Sequence, residues 1–180
     1  VEPLACVVRG QRLSGVQPGD TVLVLGSGIA GILHIQMARI AGAARIIATD
    51  IHPFRIDAAR RFGADLSLSG QQDVAEKLRE FNNGALADSV ILCTGAKPAI
   101  SQALSCVERG GTLLFFAVPP PGEDVPMPMG RFWRDEVTVR TSYAAAPSDI
   151  AVSIELIRSQ RVDTRGMITH RLPLSEAQKG

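Results

Sequence analysis

The sequence predicts an α/β fold: a doubly wound parallel sheet of six strands in the order 3-2-1-4-5-6. Three observations carry this expectation. Short apolar runs rich in β-branched residues recur along the chain, and helix-period segments separate them. Most of these runs do not alternate apolar with polar positions, so both faces of each strand are buried, as in a parallel sheet covered by crossover helices. The first run, Thr21 to Leu25, leads straight into Gly26-Ser27-Gly28-Ile29-Ala30-Gly31, and the second, Arg45 to Thr49, ends in the acid Asp50.

Taken in order, residues 3–13 predict a helix with Pro3 in its first turn and Leu4, Val7 and Val8 on one stripe that Gln11 extends. Gln17-Pro18-Gly19-Asp20 is a turn. The first strand and the glycine-rich turn follow, then a helix striped by Ile29, Ile32, Leu33, Met37 and Ile40 and ended by Gly42-Ala43. After Asp50, His52-Pro53 opens a helix with Ile56, Ala59 and Phe62 inward, and Gly63 stops it. Leu66 to Leu68 is a short third strand. Residues 71–81 form a helix with Val74, Leu78 and Phe81 on one face. Ser89 to Cys93 is the fourth strand, Pro98 to Val107 a helix, Arg109-Gly110-Gly111 a turn, and Thr112 to Ala117 the fifth strand. Pro119 to Met129 holds five prolines and reads as an irregular connector. Glu136 to Thr141 alternates Val137 and Val139 with Thr138 and Arg140, which suits a sheet edge. Ser148-Asp149 caps a helix over 150–158, and Met167 to Leu172 is a last extended segment.

The glycine spacing carries the chemistry. A strand, a G-x-G-x-x-G turn and a helix occur in the order a dinucleotide site needs. Gly26 permits a tight turn off the strand. Gly28 lets a pyrophosphate approach the backbone, and Gly31 lets helix and sheet pack closely. The phosphates are then expected on the free N–H groups of Ile29, Ala30 and Gly31, at the positive end of the helix. Asp50 lies nineteen residues after Gly31, near the roughly 20-residue offset of a ribose-binding acid. It would accept from both ribose hydroxyls and repel a 2′-phosphate, which favours NAD over NADP. The alternative is that Asp50 caps the helix starting near Pro53. Arg55, one turn on, either covers the adenine or is a solvated helix arginine. The strand ends at Leu25-Gly26, Asp50, Cys93-Thr94-Gly95 and Ala117-Val118 converge on one crevice by topology alone.

Composition narrows the classes. The chain has 180 residues, enough for one domain and the edge of another. A net charge of +1 and few aromatic residues argue against nucleic acid as a partner. No apolar run is long enough to span a membrane, and no signal peptide is visible. Cys6, Cys93 and Cys106 form no C-x-x-C pair and read as reduced, small apolar residues in a cytoplasmic protein. His34, His52 and His170 are too scattered to suggest a metal cluster, so no metal site is assigned. Val1-Glu2-Pro3 at one end and a helix beginning at Leu174 near the other lead us to expect a fragment of a longer protein.

These residues resemble the cofactor-binding, Rossmann-type domain of medium-chain, zinc-type alcohol dehydrogenases, closest to the polyol and threonine dehydrogenase branch. The resemblance covers nearly the whole chain. It rests on Glu2-Pro3-Leu4, the run from Val16 to Gly28, Phe62-Gly63-Ala64-Asp65, Cys93-Thr94-Gly95, Arg109-Gly110-Gly111-Thr112 and Ile168 to Leu174. It implies an oxidoreductase domain over 1–166, with 167–180 returning toward a catalytic domain that lies outside the chain. It places the nicotinamide beside Thr94, Gly95, Ala117 and Val118. Zinc and the proton relay belong to the absent domain, so no catalytic residue is assigned here. Glu2 alone, from the Glu-Pro-Leu opening, is implied near the zinc region; its other reading is a favourable first-turn charge. The parent would transfer hydride between a secondary alcohol or polyol and NAD, and would pair as a homodimer along the sixth strand. The remaining alternatives are a non-catalytic nucleotide-sensing module and a methyl-donor site on a similar sheet.

Overall fold

In the computed structural model, which describes residues 1–179, the six strands form one sheet in the order β3-β2-β1-β4-β5-β6. The strands are β1 (Thr21–Leu25), β2 (Arg45–Asp50), β3 (Leu66–Ser69), β4 (Ala87–Leu92), β5 (Val107–Phe115) and β6 (Thr138–Thr141). Every pairing is parallel. The helices are α1 (Glu2–Ser14), α2 (Ile29–Ala41), α3 (Pro53–Arg61), α4 (Val74–Phe81), α5 (Lys97–Cys106), α6 (Met129–Arg134) and α7 (Pro147–Arg158). Fold class and strand order are as the sequence predicts.

The buried runs explain the architecture. All five residues of β1 are buried. Successive side chains of a strand point to opposite faces, so each run feeds two cores. Leu23, Leu25, Ile47, Val90, Leu92 and Leu113 pack beneath α4 and α5. Val22, Val24, Ile46, Ala48, Ile91 and Leu114 pack with Ile32, Ile35 and Ala38 of α2 and Ala58 and Ala59 of α3. A third cluster joins Leu4, Val7 and Val8 of α1 to Leu33 of α2, with Val152 and Leu156 of α7 against it. Each fully buried Val, Leu or Ile among these contributes about 1.5–3 kcal/mol of transfer free energy.

Several elements depart from the sequence expectation, each for a local reason. Helix α4 starts at Val74 rather than at residue 71, because the Asp73 carboxylate accepts the Glu76 N–H at 2.9 Å and caps it. Arg109-Gly110-Gly111 is not a turn between elements. It lies inside β5, where the register jumps from Ala87↔Val107 to Ser89↔Thr112, and Gly110 takes φ 73° at this bulge. The proline-rich connector ends in a helix, α6, that the sequence reading missed. Phe132 anchors it in the core, and Arg131 donates to the carbonyls of Leu104 and Val107 at 2.9 and 3.0 Å, closing the end of α5. Strand β6 is shorter than expected and Val139 is exposed. Helix α7 begins at Pro147, so Asp149 is not its cap; its carboxylate reaches back to the Ala146 N–H at 2.9 Å. Phe81 is exposed rather than inward. Met167 to Leu172 joins no ladder, and the helix expected after it is a 3-10 turn, Leu174–Lys179.

Candidate functional site

Three parallel strands end side by side beneath the glycine-rich turn. Gly26, the first residue past β1, has φ 93°, and its N–H donates to Thr49 of β2 at 2.9 Å. Only glycine takes this conformation without cost. Gly28 caps α2 in an extended conformation, and no side chain caps the helix. The N–H groups of the first helical turn therefore lack intrahelical partners. No acidic residue occupies that turn. A Cβ built on Gly28 would meet nothing within 4 Å, whereas one on Gly31 would collide with the Gly26 carbonyl oxygen. Gly31 thus holds helix against turn, and Gly28 leaves open space above exposed donors. That is a fit for an anion such as a diphosphate.

Asp50 lies at the end of β2 and is buried. One carboxylate oxygen accepts the Ser27 N–H and the other the His52 N–H, both at 2.9 Å. Ser27 adds a hydroxyl bond to the Thr49 carbonyl at 3.1 Å. The residue capping α3 is His52, without a side-chain cap bond, so the capping alternative for Asp50 fails. Instead the carboxylate ties the glycine turn to β2, and each oxygen keeps a lone pair for a further donor. Arg55 approaches the same carboxylate at 3.8 Å, with its side chain half exposed.

A groove of about 310 Å³ opens over these groups. Gly26, Gly28, Asp50, Arg55 and Thr94 line it, as do Ile51, His52, Gly70, Cys93, Ala99 and Gln102. Of the second set, the sequence placed Cys93 in the crevice only as a strand end and offered His52 either an adenosine contact or a plain surface position; Ile51, Gly70, Ala99 and Gln102 were not assigned. Gly70 was findable, because it follows β3 as Asp50 ends β2. The face that α5 turns to the groove carries no motif. Cys93, read as a small apolar residue, is half-buried in the floor, and burial pushes its thiol pKa up. His52 lies at the rim.

The other predicted residues fall around this groove. Ile29 was expected inward on the α2 stripe, yet it is exposed at the helix start. It lines a neighbouring cavity of about 350 Å³ with Ile32, Phe54 and Met167. Ala30 is half-buried beside it. Gly95 abuts β5's continuation: a Cβ there would collide with the Val118 carbonyl oxygen. Ala117 donates its N–H to Leu92 at 2.9 Å, and Val118 is exposed. Gly95, Ala117 and Val118 therefore share the strand-end edge but do not line the groove. Glu2 is exposed in the first turn of α1 and accepts the Cys6 thiol at 3.1 Å. Among the described residues, no three His, Cys, Asp or Glu side chains are grouped to hold a metal ion. His34 is fully buried, and burial lowers its pKa to about 3. His170 is exposed in the tail.

Residues 30–159 match the family model described as zinc-binding dehydrogenase. The chain is 30% identical over 181 residues to sorbitol dehydrogenase of Gallus gallus, covering 98% of this chain and 50% of that protein. It is 31% identical to a probable D-xylulose reductase A of Neosartorya fischeri, covering 99% of this chain and 51% of that protein. A solved zinc-binding dehydrogenase of Sinorhizobium meliloti 1021, bound to NADP, superposes with a TM-score of 0.93 at 30% identity. That likeness covers 99% of this chain and 53% of that one. An alcohol dehydrogenase of Thermus sp. ATN1 superposes with a TM-score of 0.90 at 28% identity, over 98% of this chain and 51% of that one. The chain spans about half the length of the curated relatives it matches.

Proposed function

The chain belongs to the zinc-binding dehydrogenase family, and on that footing we propose that it is the NAD-holding domain of an alcohol or polyol dehydrogenase. The carrying observation is the open approach to Gly28 over the unpaired N–H groups of α2, with the Asp50 carboxylate beside it. A diphosphate seats on those donors. Asp50 keeps lone pairs for the two ribose hydroxyls next to it. When bound, the nicotinamide supplies the hydride acceptor, and zinc, from the part of the parent outside this chain, supplies a Lewis acid for the alcohol oxygen. The residues of this chain bind and orient. Thr94, Gly95, Ala117 and Val118, at the ends of β4 and β5, are the positions we assign beside the nicotinamide, with Ile29 and Ala30 at the phosphates.

NAD rather than NADP follows from charge. Asp50 is a buried carboxylate held by two backbone bonds, so it cannot swing away from a 2′-phosphate. Arg55 is half exposed and lies 3.8 Å from that same carboxylate, so its charge is drawn toward Asp50 rather than left for a 2′-phosphate. The substrate class, a secondary alcohol or polyol, comes from the relatives' named activities. Two copies are proposed to associate through β6, whose outer edge carries Val139 beside exposed Trp133 and Met129. Among the described residues no helix is long and apolar enough to cross a membrane. The unpaired cysteines suit a reducing compartment, and we place the protein in the cytoplasm.

Isothermal titration with NADH tests the central reading. Saturable binding without alcohol oxidation by this chain alone is the expected result. No heat and no thermal shift at millimolar NADH would defeat it, and preferential binding of S-adenosylmethionine would replace it. Sedimentation at one-chain mass would remove the dimer.

A further inference from the structure

The order of the strands along their C-terminal edge gives the groove a direction. Gly26 follows β1, Asp50 ends β2 and Gly70 follows β3. Neighbouring strands lie about 4.8 Å apart. A nucleotide with its phosphates at Gly28 and its ribose at Asp50 therefore extends its base toward Gly70. This placement rests on the dinucleotide reading above.

The wall at that end is built. The Gly70 N–H donates to the Asp50 carbonyl at 2.9 Å, and the Gly70 carbonyl accepts Nε2 of Gln102 at 2.8 Å. Gln102 reaches across from α5 and lines the groove with Ala99 and Ile51. A carbonyl only accepts, so the amino end of the Gln102 carboxamide must face Gly70. Among the described residues, no group donates to the carboxamide oxygen, which is left as an acceptor.

We propose that Gln102 is a specificity residue that reads the base of the bound nucleotide. Its carboxamide oxygen accepts from the exocyclic amine of adenine. A 6-oxo purine presents a second acceptor at that position, so the two oxygens repel and the groove's acceptor stays unpaired. Sites that pair a polar group in this way reject the analogue lacking it far more strongly than apolar pockets do.

Fluorescence titration of the chain with NADH and with its 6-oxo analogue, reduced nicotinamide hypoxanthine dinucleotide, tests the assignment. NADH is expected to bind about tenfold more tightly than the analogue, a difference of one well-placed hydrogen bond. In Gln102→Met, which keeps the length and removes the acceptor, the ratio should fall to about 1. In Gln102→Lys, which can donate both to Gly70 and to a 6-oxo group, the preference should reverse. Equal binding of the two dinucleotides to the unmodified chain would overturn the proposal, as would a tenfold preference persisting in either variant. Failure of the unmodified chain to bind either dinucleotide would instead remove the underlying dinucleotide reading.

Discussion

Gly28 and Gly31 are three residues apart in one motif, yet replacing each with alanine should fail in opposite ways. At Gly28 the backbone is φ −70°, ψ −168°, which any residue adopts, and a Cβ meets nothing within 4 Å. The fold should barely notice. Alanine is a poorer helix cap than glycine, which costs about 0.5–1 kcal/mol, and a less flexible unfolded chain returns about as much. The melting temperature should therefore move by no more than about 2 °C, given that 1 kcal/mol shifts a domain of this size by roughly 2–4 °C. The new methyl, however, fills the space through which a diphosphate reaches the α2 donors. Losing even one charge-assisted bond there costs about 1.5–3 kcal/mol, which is a loss of about tenfold or more in NADH affinity. At Gly31 a Cβ runs into the Gly26 carbonyl group, whose atoms are backbone and cannot rotate aside. Relief requires moving α2 away from β1, with loss of stability of about 2–4 kcal/mol or more. The assay is a pair of curves for each variant: thermal melting by circular dichroism, and NADH titration by fluorescence. Gly28→Ala that melts like the parent and binds NADH equally well would refute the placement of the phosphates. Gly31→Ala with an unchanged melt would refute the packing role.

Three further outcomes follow from the same geometry. Asp50→Ala removes the acceptor of the buried Ser27 N–H and of the part-buried His52 N–H, so it should lower stability by about 1–3 kcal/mol in urea unfolding and narrow any NADH-over-NADPH preference; unchanged stability would mean the carboxylate does not hold the turn. His34 is buried with its ring edge on Phe116 at 4.6 Å, Nδ1 beside Gln11 at 3.1 Å and Nε2 unpartnered, and burial lowers its pKa from 6.5 to about 3. Below pH 6.5 the unfolded state binds the proton that the native state refuses, so stability is full above that pH and falls by about 3 kcal/mol by pH 4; His34→Leu should flatten urea-derived stability over that range. Arg12 pairs with the Asp149 carboxylate, which is buried between α1 and α7; Arg12→Met should cost about 1–3 kcal/mol, discounted because the arginine is half exposed, and Arg12→Met/Asp149→Asn should recover part of it.

Much of this was legible because burial on two faces writes itself as an unbroken apolar run. The cores of β1, β2 and β4 need no other signal; the strand order came from placing them, with their crossover helices, in the doubly wound pattern. The glycine turn and Asp50 were legible for a different reason: backbone conformation and close approach demand particular residue types at fixed spacing. Helix α6 was not, since six residues hold less than two turns and show no period, and its anchors are one phenylalanine and an arginine that bonds to α5. The bulge at Gly110 was read as a turn because both need the same residues. On α1, Gln11 and Ser14 are buried though polar. An apolar stripe marks Leu4, Val7 and Val8 but cannot announce that Gln11 will bond to a histidine twenty-three positions on. Gln102 was invisible for a similar reason. Its role depends on Gly70, thirty-two residues earlier, and nothing local in α5 encodes that pairing.

The double use of Asp50 has a consequence for how the site is assembled. Its carboxylate already holds the Ser27 and His52 N–H groups, so the glycine turn is fixed against β2 without help from a ligand. Gly26 adds a backbone bond to Thr49, and Ser27 a hydroxyl bond to the same carbonyl. Three bonds therefore fix a turn that would otherwise lose its freedom only on binding, the His52 bond holding the carboxylate itself, and that ordering cost falls on folding instead of on affinity. It follows that a change at Asp50 mixes two effects, because loosening the turn weakens phosphate binding even where the ribose contact is untouched. Gly28 does not share this ambiguity. Its side-chain space touches no protein atom, so a loss of affinity there reports the ligand's path alone.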